Sequence, residues 1–129
     1  MQQAQDFHLW AALQWYLAPA VMLSVSAAYF FADTRRPAYV ARFVSSVHGL
    51  LGAALYCGAM TLFIVQPHTH RPQLGLPYAA MFVLPLAAVV ASFLTFRGNR
   101  WIHLLQVINL LALAWALFIG LMAVTGDWL

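Results

Sequence analysis

Four stretches of this chain, residues 10–31, 43–65, 76–96 and 101–124, stay apolar over the length an α-helix needs to cross a membrane. A hydrocarbon core of about 30 Å takes roughly 20 residues at helical rise. Within lipid each stretch must satisfy its own backbone N–H and C=O groups, and a helix does so inside one segment. Of 129 residues, 64% are apolar and 7% charged; the charged set is six Arg and three Asp, with no Lys or Glu. So short a chain has too much surface per unit volume to hide that apolar material from water. Disorder requires the opposite composition. The sequence therefore predicts an all-α integral membrane protein.

The connectors, residues 32–42, 66–75 and 97–100, are short enough to make neighbouring spans antiparallel. The expectation is one transmembrane domain over residues 1–129, an up-down four-helix bundle. Its orientation follows from the arginines. Arg35, Arg36, Arg42, Arg97 and Arg100 fall in or beside the first and third connectors with Asp33, whereas the opposite side holds Arg71, Asp6 and Asp127. By the positive-inside rule the arginine-rich side is cytoplasmic. Both termini and the second connector are then outside, which in a bacterial inner membrane means the periplasm. The first span is expected to be retained: residues 1–6 carry no basic side chain, and its apolar run exceeds the roughly 7–15 residues of a signal peptide. A net charge of +3 spread over four spans gives no clustered basic patch, so nucleic acid is not an expected partner.

Trp10, Trp15, Tyr16, Trp101 and Trp128 lie towards span ends, where amphipathic rings favour the headgroup level, and Trp115 lies deep in the fourth span. Pro19 and Pro85 fall inside spans and are expected to bend them.

Little in the chain suggests catalysis. The three Asp are expected at or beyond the membrane edges, so no carboxylate pair is available for acid–base work inside the membrane. No phosphate-binding Gly-rich loop or nucleophile motif occurs. The lone Cys57 forms neither a disulfide framework nor a thiolate metal motif within one chain. Histidine is the remaining candidate. His48 follows Arg42 by six residues and His103 follows Arg97 by six, which places each ring on the order of 9 Å beyond its arginine, at a shared level. Diagonal helices of a bundle lie roughly 11–14 Å apart, a gap that suits a b-type haem between two axial imidazoles. Gly52, one turn from His48, leaves room for such a ring. The alternative is two interfacial histidines bonded to backbone, headgroups or water. In the second connector, His68-x-His70 has the spacing of a Cu or Zn pair, with His8 on the same side as a possible third ligand.

Association is the better supported theme. Helices in lipid pack through small residues and interhelical hydrogen bonds. Ser45, Gly49, Ala53 and Cys57 form a spacing-four ridge on the second span, flanked by Gly52 and Gly58, and Gln106 and Asn109 place two amides at depth in the fourth. The sequence points to a non-catalytic accessory or scaffolding subunit surrounded by lipid and packed against other integral membrane subunits or copies of itself. A haem-binding electron-transfer module and a homo-oligomeric pore are the alternatives.

Overall fold

A computed structural model describes residues 2–67 and 69–127, with side chains described from Trp15 onward. Every regular element among them is helical: α1 (Gln2–Ala32), α2 (Tyr39–Val65), α3 (Gly75–Met81), α4 (Val83–Thr95) and α5 (Leu105–Thr125). Short 3₁₀ turns, Pro72–Leu74 and Arg100–Leu104, lead into α3 and α5. Four segments are long and apolar enough to cross a membrane: Trp15–Ala32, Tyr39–Val65, Pro72–Thr95 and Arg100–Thr125.

Local chemistry sets the boundaries. Pro37 cannot donate a backbone hydrogen bond, and α2 begins two residues later behind an extended Ala38. Pro72 opens the first 3₁₀ turn, where a missing N–H costs nothing. Asn99 caps the second, its side-chain oxygen accepting from Trp101 N at 3.1 Å. Gly126 ends α5 with φ at +79°, donating to Met122 O at 2.9 Å; an added Cβ there would also press on Thr69.

Pro19 and Pro85 behave differently. Helix α1 runs through Pro19 without a break. The third span divides at Phe82, three residues before Pro85, because the proline ring displaces the carbonyl four positions back and leaves it without its helical donor. The division lets α3 pack on α5 while α4 packs on α2. Helix α2 also packs against α1 and α5, and α1 against α5. Met22, Tyr56, Leu113 and Ala116 fill the middle.

Glycines set how closely the helices approach. A Cβ on Gly49 would stand 2.6 Å from Ser26 Oγ and from the Met22 carbonyl carbon of α1. One on Gly52 would stand 2.7 Å from Met22 Sδ and closer still to Leu113, and one on Gly120 would collide with the Tyr78 ring. The ridge on α2 is therefore buried only in part: Ser45, Gly49, Gly52 and Ala53 are interior, but Cys57 and Gly58 are exposed, and a Cβ at Gly58 would meet nothing within 4 Å.

Asp33 directly follows the end of α1. Its side chain is fully buried, accepting from Ser45 Oγ at 2.8 Å and from Arg97 N at 3.2 Å, with Arg36 Nε 3.9 Å away. Arg36 also donates to Thr95 O, and Arg42 Nε to Arg36 O at 2.7 Å. The first and third connectors are thus knitted together over the aspartate. At the other end Arg71, likewise buried, donates through Nε to Val124 O at 3.2 Å and through Nη1 to Gln66 Oε1 at 2.6 Å, joining the ends of α2 and α5.

Candidate functional site

The four side chains of one buried polar cluster come from three helices. His48 projects from α2, Ser92 from α4, and Gln106 and Asn109 from successive turns of α5, all four essentially without solvent contact. Their polar ends converge because the i, i+3 spacing on α5 puts both amides on one face. Gln106 Nε2 lies 3.0 Å from His48 Nε2 and donates to Ser92 Oγ at 3.1 Å. Asn109 Nδ2 lies 3.3 Å from His48 Nδ1 and donates to Gln106 Oε1 at 2.8 Å. Ser92 in turn donates to Val89 O at 2.6 Å. Asn109 Oδ1 and, further along α2, the Tyr56 hydroxyl are buried without a partner.

His48, Gln106 and Asn109 form a closed triangle with an unusual property. A neutral imidazole donates from one ring nitrogen and accepts at the other. Satisfying both nitrogens requires one amide to present oxygen to the ring and the other to present nitrogen. The bond between the two amides demands the reverse: both in the orientation described or both turned over, so that they present like atoms. Since amide orientation is assigned from the network, every assignment of a neutral ring leaves one edge of the triangle mismatched. With both amides turned over, a ring protonated on both nitrogens satisfies all three edges. No described carboxylate bonds to the ring to balance a second proton, so the mismatched edge stands as a frustrated contact between α2 and α5.

Tyr29 of α1 links the cluster to the arginine-rich side. Its ring meets His48 edge-on at 4.9 Å between centroids, and its hydroxyl lies 2.6 Å from His103 Nδ1. Phe93 and Phe96 enclose His103 at centroid distances of 4.7 and 5.4 Å. His48 and His103, the expected axial pair, do not face each other across an open gap. Tyr29 packs against both rings, both nitrogens of His48 face amides, and Leu113 and Met22 occupy the space beside Gly52. These residues do not fit a haem.

Of the three outer histidines named as metal ligands, only His70 has a described side chain. His70 Nδ1 pairs with Asp127 Oδ1 at 2.8 Å on an exposed surface, while His68 and the His8 side chain lie outside the described residues. Among the described residues no three His, Cys, Asp or Glu side chains stand close enough to hold a metal ion.

Gln106 and Asn109, expected as interhelical contacts, make them to α2 and, for Gln106, to α4. Sequence reasoning missed Tyr29, Ser92 and Asp33. Ser92 is a hydroxyl deep in an otherwise apolar segment, a signal the sequence does offer; Tyr29 resembles any aromatic residue near a span end. No protein-family model matches this chain, and neither a curated protein nor a solved structure is significantly similar to it.

Proposed function

We propose that this chain is a non-catalytic accessory or scaffolding subunit of the bacterial inner membrane that packs laterally against another membrane protein. It is read as an up-down bundle with both termini periplasmic, on the strength of the arginine asymmetry. One observation carries the lateral reading. Ala54, Cys57, Gly58 and Thr61, at positions i, i+3, i+4 and i+7 of α2, form a small-residue face that the chain itself leaves exposed. A small face lets a second backbone approach closely, which is how helices associate in lipid, where the hydrophobic effect supplies no drive. A pore finds no comparable support: the buried amides gather around His48, buried Asp33 and Arg71 are tied up at the two ends, and the core between α3 and α5 is apolar.

Cys57 is the only cysteine in the chain and lies on this face. A benzophenone-maleimide attached there in native membranes and then photolysed is expected to give one discrete protein adduct, whose mass distinguishes a second copy from a different subunit. Gly58→Leu, which fills the face, is expected to abolish that adduct. Adducts to lipid alone, or a protein adduct indifferent to Gly58→Leu, would refute the reading.

A further inference from the structure

On the arginine-rich side the first and third connectors enclose an open cavity of about 810 Å³. Arg35 lines it from one connector and Arg100 from the other, with Asn99, Trp101, His103 and Leu104 among the remaining walls. The charges here lack a counterpart. Asp33 is the one acid in the two connectors, and it is buried among Ser45, Arg36 and the Arg97 backbone. Arg36 and Arg42 direct their donors to backbone carbonyls. No described residue forms an ion pair or a side-chain hydrogen bond with Arg35 or Arg100. Two guanidinium groups therefore share one cavity with no carboxylate between them.

Neutral donors stand beside them. Asn99 uses its oxygen to cap Trp101 N, which leaves its amide hydrogens free. When Tyr29 donates to His103 Nδ1, the neutral ring keeps its proton on Nε2. Guanidinium groups with additional N–H donors match the oxygens of a phosphate, which Arg binds in bidentate fashion.

The rim decides which phosphate. Trp101 and Leu104 are 75% and 62% exposed, at the start of the fourth membrane-crossing segment. A free anion has no use for apolar walls at the headgroup level; an amphiphile has its charge at one end and chains at the other. We infer that this cavity binds the phosphate headgroup of an anionic phospholipid, with Arg35 and Arg100 on the phosphate and the acyl chains leaving past Trp101 and Leu104.

The test uses the full-length protein in a mild uncharged detergent and native mass spectrometry with phosphatidylglycerol and phosphatidylcholine added in equal amounts. Basic residues at a membrane surface predict a preference of roughly 30-fold for the anionic lipid from two arginines. The double variant Arg35→Gln/Arg100→Gln should bind the two lipids alike. Arg97→Gln should keep the full preference, because the Arg97 side chain does not line the cavity and its bond to Asp33 is made by the backbone. Both variants alter exposed side chains, and a near-UV circular dichroism melt verifies their fold; if the double variant fails that check, Arg35→Lys and Arg100→Lys, which keep charge but lose the bidentate fork, should each weaken the preference. Wild-type protein without a preference overturns the inference. So does equal loss in Arg97→Gln, which would indicate diffuse charge rather than a site. Inorganic phosphate that displaces phosphatidylglycerol at equal concentration would assign the cavity to a free anion and overturn the lipid reading.

Discussion

Replacing Gly49 by alanine adds one methyl group, and the cost should exceed what one methyl suggests. The new Cβ would collide with the Met22 carbonyl oxygen and stand 2.6 Å from Ser26 Oγ and from the Met22 carbonyl carbon, where ordinary contact begins at 3.4 Å, so α1 must retreat by more than about 0.8 Å. The obstacle is largely backbone, which cannot rotate aside. Overpacking of this kind costs typically 1–3 kcal/mol. Ser26 Oγ also donates to Ser46 O and accepts from Gly49 N at 2.9 Å. Stretching that pair forfeits up to about 1 kcal/mol for each bond. Against this, Ala gains about 1 kcal/mol over Gly in helix propensity. The expected net loss is about 2 kcal/mol, rising to about 4 kcal/mol if both bonds are lost.

Gly58 supplies the control within the same helix. A methyl group there meets nothing, so Gly58→Ala should keep the propensity gain of up to about 1 kcal/mol in the isolated protein. The two substitutions are chemically identical and should differ in sign. Unfolding by SDS titration in mixed micelles, followed by near-UV circular dichroism, separates them. If both variants shift the midpoint alike, α1 and α2 do not cross at Gly49 and the packing argument fails.

Gln106→Leu should destabilise by about 2 kcal/mol in the same assay, since it takes one partner each from His48, Ser92 and Asn109; Asn109→Leu should cost about 1 kcal/mol or less, because it removes a buried oxygen that already lacks a partner and relieves the mismatched triangle. Equal losses in the two variants would show that the triangle is not frustrated. Asp33→Ala should cost about 2–3 kcal/mol through the lost bonds from Ser45 and Arg97 N, and Asp33→Asn less; a thermal melt in which added salt removes the difference between Asp33→Ala and wild type would contradict its burial. Arg71→Lys keeps the charge but loses the fork that spans Val124 O and Gln66. Amide exchange at Gly126 and the last turn of α5 should accelerate, and unchanged exchange would show that Arg71 does not hold the helix end.

What the sequence made legible were the features set by composition and local spacing. Apolar windows located the four membrane-crossing segments to within a few residues, because the bilayer imposes one length on all of them. The Gly49–Ala53 part of the α2 ridge could be read from spacing, but its direction around the helix could not. The same stripe turns outward at Cys57 and Gly58 because a straight α-helix rotates the i+4 series away from a fixed contact line. Tyr29 and His103 are 74 residues apart, and Asp33 and Arg97 are 64 apart. No local pattern encodes such pairs; they depend on how the first and third connectors fold over each other. The burial of Asp33 went unread for that reason, and the surroundings of His48 and His103 for a related one. Helical rise placed His48 and His103 at one level, but level says nothing about what lies between them, and a phenol from a third helix packs against both.

The distribution of polarity follows from the solvent. Apolar surfaces in lipid discriminate poorly between one helix register and another, because the acyl chains are as apolar as the side chains they replace. Register in this chain must come from contacts that fail when shifted by one turn. Close glycine crossings at Gly49, Gly52 and Gly120 are of that kind, since each faces a neighbour (backbone, packed side chain or ring) that leaves no room for a Cβ. The His48 triangle is another: moving α5 by one turn would bury two amides and an imidazole without partners. Each of the four membrane-crossing segments takes part in at least one of these contacts. The Ala54–Thr61 face of α2 makes none of them within the chain, so it is the surface on which a partner would find register still to be set.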